Sequence, residues 1–472
     1  MYTKTKILAT LGPASDSVEM ISSLIDAGID GIRLNFSHGD FAYFTKVFDN
    51  IHSVCTEKAL PIPVLVDLQG PKIRIGELSS DQVEIRTGDT IEVTTRDLPG
   101  NRTIVSTSYK QLLKDAKLGD TILINDGLIN LKIVKKTTDS VISEIIAGGI
   151  LKSRKGMNLP GMKLSTPSIT EKDLQNLEFA LKRKVDFIAL SFVRSADDIL
   201  QLREWLTKKG YSKPLFAKIE KSEAVDDFEN ILEAANGIMV ARGDLGVEMG
   251  PQFVPVIQKK IIRRCNEVGK TVITATQMLE SMIGNPVSTR AEASDVANAV
   301  WDGTDVVMLS GETSVGKYPV ETVKVMNEIL QTAESHYGYA EKINYEIPAA
   351  LADNLFDSVG SAVANISNNV KAKAIIVFTH FGRKARAIAK FHPRSMIYAI
   401  SDSFNSLNNL NLCGGIKPFY MKNIVERESA VSDSISVLKE NRLITEGDLL
   451  IFTAGKPITD KGRDHWIRFV VT

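Results

Sequence analysis

Residues 216–221 read Phe-Ala-Lys-Ile-Glu-Lys, and residues 239–246 read Met-Val-Ala-Arg-Gly-Asp-Leu-Gly. Each is a short apolar run that ends in charge, with Lys218 and Glu220 in the first and Arg242 and Asp244 in the second. Strands buried on both faces of a parallel sheet read as nearly unbroken apolar runs. Six more runs share this form, beginning at Lys6, Gly31, Ile62, Phe187, Thr271 and Val306. The segments between them, such as 16–28 and 197–210, repeat apolar residues at three- and four-residue intervals and stop at glycine, as helices do. Eight strand–helix units predict a closed (β/α)8 barrel. An open doubly wound sheet is the alternative, and polar residues after every strand favour the barrel.

The spacing breaks once, between the third and fourth runs. Residues 81–95, 103–108, 120–135 and 140–161 alternate with period two and carry Gly-Asp and Asp-Gly turns, the marks of antiparallel hairpins. An inserted β-barrel lid is therefore expected over 71–166, above the active mouth of a barrel made of 1–70 and 167–338. From 339 to 472 the pattern restarts as a separate α/β domain. Helices are expected over 355–369, 382–391 and 431–441, and strands over 372–380, 396–401, 448–455 and 466–472.

Composition narrows the function. Lys plus Arg and Asp plus Glu are 57 each, so the net charge is zero, which argues against nucleic acid or an anionic membrane as the main partner. No apolar stretch approaches the ~18 residues of a membrane span, and the N-terminus lacks the apolar run of a signal peptide. Cys55, Cys265 and Cys413 are odd in number, far apart and in no metal spacing, so reduced thiols and a cytoplasmic location are expected. The Asn101 and Asn365 glycosylation patterns and the Arg-Gly-Asp triplet at 242–244 carry no meaning in such a chain.

Barrel enzymes place their chemistry at the C-terminal strand ends. Those ends supply Arg33, Asn35 and Ser37; Asp67; Ser191; Lys218 and Glu220; Arg242 and Asp244; Thr276; and Ser310 with Glu312. Alternate strand residues share a face, so Arg33, Asn35 and Ser37, Lys218 with Glu220, and Arg242 with Asp244 are each expected to face one site. A structural ion pair explains either charged pair alone, but not polar residues on one rim of every strand. Two acids beside a lysine suit a hard divalent cation and a phosphoryl group. His38 reads as a loop residue rather than a catalytic one. Gly311–Tyr318, GETSVGKY, almost fits a phosphate-binding loop, but Tyr318 replaces the short hydroxyl and Pro319 crowds the helix start. It reads as a turn presenting Ser310 and Glu312.

Taken together, these residues resemble the pyruvate kinase family over almost the entire chain. The motifs are LNFSHGD (34–40), DLQGPKIRIG (67–76), KGMNLPG (155–161), SITEKDL (168–174), FAKIEK (216–221), MVARGDLGVE (239–248), TATQMLESM (274–282), TRAEASDVANAV (289–300) and MLSGETSVGKYP (308–319). The resemblance implies reversible-type phosphoryl transfer from phosphoenolpyruvate to ADP, giving pyruvate and ATP in the last step of glycolysis. It implies that Glu220 and Asp244 hold Mg2+ (or Mn2+), with a second ion arriving with ADP. The Gly243 backbone and Thr276 would hold the substrate carboxylate, with Ser191 and Asp244 also at the substrate. Lys218 would stabilise the moving phosphoryl group and Arg33 its phosphate. Asn35, His38, Arg74 and Lys155 would meet the nucleotide. A proton relay near Thr276, Ser310 and Glu312 is expected. A homotetramer is also implied, through the helix beginning near Arg290.

Two departures modify the expectation. K+-dependent relatives carry an acid where this chain has Lys72, with Thr and Lys at Leu68 and Gln69. An ammonium at 72 supplies the charge in place, so K+ independence is expected even though the would-be ligands Asn35, Ser37, Asp67 and the Leu68 carbonyl remain. In the effector loop Thr379-His380-Phe381-Gly382-Arg383-Lys384, Phe381 and Lys384 replace small hydroxyl residues. Hydroxyl donors are lost and a positive charge is gained, so activation by fructose 1,6-bisphosphate is not expected, though another phosphorylated effector could bind. The competing readings are a Mg2+-dependent aldolase or lyase acting on pyruvate, which would have no use for Arg74 and Lys155 on a lid, and a catalytically dead ligand sensor, against which the intact Lys218, Glu220, Asp244 and Thr276 argue.

Overall fold

The structure, a computed structural model, describes residues 2–336, 355–422, 424, 426–456 and 464–472. Eight parallel strands form a closed barrel: Lys6–Thr10, Gly31–Asn35, Val64–Asp67, Phe187–Leu190, Leu215–Ile219, Gly237–Ala241, Thr271–Ala275 and Val306–Leu309. The first strand pairs with both the second and the eighth, which excludes the open sheet. Leu8, Leu65, Phe216, Met239, Ile273 and Met308 fill the interior. Ile7, Ile32, Val66, Ile188 and Val240 belong to the separate core beneath the surrounding helices. Both faces of each strand are thus dry, which is why the runs carry no polar alternation. Helix ends follow local chemistry: Ser17 caps Val18–Ala27, which stops at Gly28 in the left-handed region, and Thr170 with Asp173 forms a capping box on Glu171–Leu181.

The insert carries the expected strands, but they do not close. A six-stranded sheet runs in the order Met157–Asn158, Thr121–Ile124, Ile129–Lys136, Ser140–Ala147, Thr90–Thr94, Ile104–Ser106, beside a ribbon of Gln82–Ile85 and Gly149–Lys152. Single bridges, Arg74 to Gly156, Ile75 to Thr107 and Leu78 to Gly100, fasten the entering chain to this sheet. One core that includes Ile91, Ile122, Leu131, Val141 and Leu151 joins sheet and ribbon. The lid is accordingly an open β-barrel-like domain.

The C-terminal domain has a five-stranded sheet ordered Ile416–Tyr420, Met396–Ser401, Ala374–Phe378, Leu449–Lys456, Asp464–Val471, the last strand antiparallel. Sequence reading missed Ile416–Tyr420 and the helix Phe404–Asn411. Pro418 obscures that strand, yet it is tolerated because the strand lies at the sheet edge, where a missing N–H interrupts no second ladder. The expected domain junction at 338/339 lies outside the described residues.

Polar contacts join this domain to the closed bottom of the barrel. Asn411 Nδ2 donates to the carbonyls of Asp30, 2.8 Å, and Pro61, 2.7 Å. Leu412 joins the barrel's interior cluster from below. Asp305, the residue before the eighth strand, accepts from Val272 N at 2.8 Å and from Gly414 N at 2.9 Å, one bond on each carboxylate oxygen. Asp186, before the fourth strand, likewise accepts from Val64 N at 2.8 Å and Asn408 Nδ2 at 3.1 Å. These carboxylates tie barrel strands to the C-terminal domain. Asp305→Ala is expected to lower unfolding free energy by about 2–4 kcal/mol, because two backbone donors lose their acceptor. Denaturant unfolding with unchanged slope checks this.

Candidate active site

The strand ends open into a cavity of about 130 Å3. Arg33, Asp67, Ser191, Lys218, Glu220, Asp244 and Thr276 line it, together with Asn35, Ser37, Gln69 and Lys72. Lys218 lies at its centre. Its Nζ donates to Ser191 Oγ at 2.7 Å and lies 2.8 Å from Glu220 Oε1 and 3.3 Å from Asp67 Oδ1. Burial alone would lower its pKa, but Asp67 and Glu220 together lift it above the ordinary lysine range. Arg33 donates from Nε, 2.9 Å, and Nη2, 2.7 Å, to Asp67 Oδ2, and from Nη1 to Thr10 Oγ1 at 3.0 Å. Burial acts to raise the Asp67 pKa, yet Lys218 and Arg33 outweigh it and hold the carboxyl below its usual range.

Glu220 behaves oppositely. Burial and the nearby Asp244 charge raise its pKa, against the pull of Lys218. Two carboxylates close enough to repel, with Asp244 at the cavity mouth, form a demand for a cation. Phe192 N–H donates to Glu220 Oε2 at 2.8 Å and fixes its orientation. The helix Arg242–Met249 starts directly after the sixth strand, and its Gly243 N–H donates to Thr276 Oγ1 at 2.9 Å.

Comparisons with known proteins match this architecture in full. The family of the pyruvate kinase barrel domain matches residues 2–323, and that of the pyruvate kinase alpha/beta domain matches residues 357–468. The chain belongs to the pyruvate kinase family. Pyruvate kinases are phosphotransferases. The chain is 41% identical to the pyruvate kinases of Staphylococcus aureus strains MRSA252 and bovine RF122 / ET3-1, over 98% of this chain and 80% of each relative. A solved pyruvate kinase from Cryptosporidium parvum superposes with a TM-score of 0.93 at 36% identity, covering 99% of this chain and 96% of that one.

Within the pyruvate kinase fold, the strand-end residues separate into two groups. Arg33, Asn35, Ser37, Asp67, Ser191, Lys218, Glu220, Asp244 and Thr276 converge on the cavity as expected. Arg242 does not. The strand ends at Ala241, so the alternation that would have paired Arg242 with Asp244 no longer applies. Arg242 Nη1 instead meets Asp295 at 2.7 Å, and its Nη2 donates to the Thr276 carbonyl at 2.7 Å. Thr276 and Gln277 sit at φ of +68° and +54°, and this guanidinium clamps their turn.

Ser310 and Glu312 also fall outside the cavity lining. Glu312 is fully buried, and its two oxygens accept from Ser310 N at 2.7 Å and Leu279 N at 3.1 Å. Its carboxylate braces the backbone on both oxygens. The GETSVGKY segment packs against the first strand: Thr313 Oγ1 donates to Thr10 O at 2.8 Å and Lys317 N to Ile283 O at 3.0 Å. The Ser314 and Val315 amides likewise donate to the Ser310 and Gly311 carbonyls.

Of the residues expected at the nucleotide, Asn35 lines the cavity. Arg74 lies across a bridge from Gly156, next to Lys155, in the lid. Burial, then the charges of Lys72, Arg74 and Arg33, hold the His38 pKa below its ordinary value. The Leu68 carbonyl does not line the cavity, and Leu68 is buried. In the loop 379–384, Thr379 Oγ1 accepts from Gly382 N at 2.9 Å, and the Arg383 guanidinium carbon lies 5.8 Å from the centre of the exposed Phe381 ring. Lys384 is only 1% exposed. The positive charge expected from Lys384 is thus buried in the domain interior, not presented by the loop.

Sequence reading missed Thr10, which holds Arg33, and Phe192, which holds Glu220. Thr10 ends the first strand, at the position that carries the site residues on the others. Phe192 acts through its backbone, which no residue type announces. A larger cleft of about 1120 Å3 lies between the lower barrel helices and the C-terminal domain. Its cations Lys270 and Arg203 are engaged with the carbonyls that end the helix Phe228–Ala234, and Arg386 donates to the Asn409 carbonyl, so it shows no comparable convergence. For the clamp on Thr276, Arg242→Ala is expected to reduce stability by about 2 kcal/mol and to speed amide exchange at residues 276–278, read by hydrogen-exchange mass spectrometry.

Proposed function

We propose that the chain transfers the phosphoryl group of phosphoenolpyruvate to ADP, giving pyruvate and ATP. The observation that carries this reading is Lys218: a largely buried ammonium, ion-paired with Asp67 and Glu220, in a cavity that Glu220 and Asp244 also line. The moving phosphoryl group spreads negative charge over its oxygens, and preorganised positive charge is the largest means of stabilising it. Lys218 and Arg33 hold that charge before substrate arrives. Asp67 anchors both cations and sets their separation. Gly243 N–H and Thr276 Oγ, now bonded to each other, are the groups that would take the substrate carboxylate, with Ser191 beside them. Arg74, Lys155, Asn35 and His38 would face the nucleotide.

Glu220 and Asp244 fit a Mg2+ or Mn2+ site. Among the described residues no cluster of three or more His, Cys, Asp or Glu is arranged to hold a metal, and Mg2+ characteristically takes one or two protein carboxylates plus substrate oxygens and water. Bound there, such an ion would neutralise charge on the phosphoryl oxygens and on the developing enolate. The lid would exclude water, so that ADP and not water receives the phosphoryl group.

Two finer features belong to the same reading. The Asp67 carboxylate, a would-be K+ ligand, is already engaged by Arg33, Lys218 and Ser191, and Lys72 lines the cavity. These support K+-independent activity. The inward Lys384 and bulky Phe381 weigh against fructose 1,6-bisphosphate as the effector. A cytoplasmic homotetramer completes the proposal; no helix among the described residues is long and apolar enough to cross a membrane.

In a coupled assay of pyruvate formation, Lys218→Met should lower kcat by about 10²–10³-fold while phosphoenolpyruvate binding survives in calorimetry. Undiminished turnover would refute the central role of Lys218. In K+-free buffer the wild type should run at full rate, and Lys72→Glu should become dependent on added K+; strong stimulation of the wild type by K+ contradicts the assignment.

A further inference from the structure

Phe192, two residues beyond the fourth strand, sits in the left-handed region at φ +57°. A bulky residue there is strained by roughly 1–2 kcal/mol, and such a conformation persists only where its surroundings over-determine it. Three contacts do so. Its N–H donates to Glu220 Oε2 at 2.8 Å, and its carbonyl accepts from Ser168 Oγ at 3.0 Å. Its ring lies against Gly70, where an added Cβ would come within 2.7 Å of Phe192 Cδ2.

Ser168 and Gly70 belong to the two chain crossings between barrel and lid. Gly70, itself at φ +67°, precedes the segment entering the lid, and its N–H donates to Asp173 Oδ1 at 3.1 Å. Leu164–Ser168 is the returning segment: Arg194 Nη1 donates to Leu164 O at 2.6 Å, and Arg194 Nε to Ser168 Oγ at 3.2 Å. Leu164 packs on the lid core. Both hinges therefore bear on one strained residue whose N–H orients Glu220.

We infer that Phe192 is a positioning residue that couples the lid hinges to the metal-binding carboxylate, so that the lid's setting fixes Glu220 Oε2. The inference rests on the proposed role of Glu220 as a metal ligand. When the returning segment shifts, the Ser168 hydroxyl moves the Phe192 carbonyl. The same peptide chain then rotates the N–H that holds Glu220. Lid opening would thus loosen the ion's site as well as admit substrate.

The test uses Mn2+ as probe, titrated into the full-length protein and followed by electron paramagnetic resonance. Wild type should bind it, and Glu220→Gln should abolish binding. Ser168→Ala, outside the cavity, should weaken Mn2+ binding by about tenfold, the scale typical of lost outer-shell support. Amide exchange at Phe192 should rise, and the half-saturating phosphoenolpyruvate concentration should increase more than kcat falls. Phe192→Asn, which tolerates a left-handed backbone but lacks the ring, serves as an independent second variant and should weaken binding in the same direction. Binding within twofold of wild type in both variants, with Glu220→Gln still inactive in binding, overturns the coupling and leaves the metal assignment standing. Absence of Mn2+ binding by wild type overturns the metal assignment and the coupling with it.

Discussion

Lys218, Glu220 and Asp67 meet at the floor of the barrel mouth, and the surrounding structure is arranged around the charge they carry. Removing an ammonium from water is costly unless carboxylates and hydrogen bonds replace the lost hydration. Asp67 and Glu220 supply the charge and Ser191 the hydrogen bond. Three neighbouring strands must therefore end in register, and a closed barrel holds them there. A flexible loop could hold the same side chains, but not with pre-set separations.

The strand ends do not stand alone. Thr10 orients Arg33, Phe192 orients Glu220, and Arg242 fixes the turn that presents Thr276. Each support comes from an adjacent strand end or the loop beyond it, so the site is braced sideways around the rim. Glu312 does the same for the segment after the eighth strand through two backbone amides. At the opposite end, Asp186 and Asp305 bind the C-terminal domain to the barrel, separating the groups that hold the molecule together from those that line the cavity, as barrels generally do.

Much of this was legible from residues alone. All eight barrel strands lie where the sequence shows short, nearly unbroken apolar runs, because a strand with both faces buried has little room for polar residues. The lid's strands followed from period-two alternation, since one face is dry and the other wet. Lys218, Glu220, Asp67 and Arg33 could be named because charge at the end of a buried strand needs a reason. The strand Ile416–Tyr420 was obscured because Pro418 forbids a central strand, and only topology revealed that this strand is an edge.

The sequence by itself determined the fold class, the family and the identity of the charged groups, because hydrophobic periodicity and side-chain chemistry are local properties. Tertiary structure decided which of those groups face one another. Alternation predicts direction only while the strand lasts, so Arg242, one residue past the end of its strand, turned away to Asp295. Glu312 was drawn inward by two backbone donors that no residue type reveals. Phe192 acts through an N–H that every residue but proline possesses, and only the path of the chain through the two hinges gives that N–H something to hold.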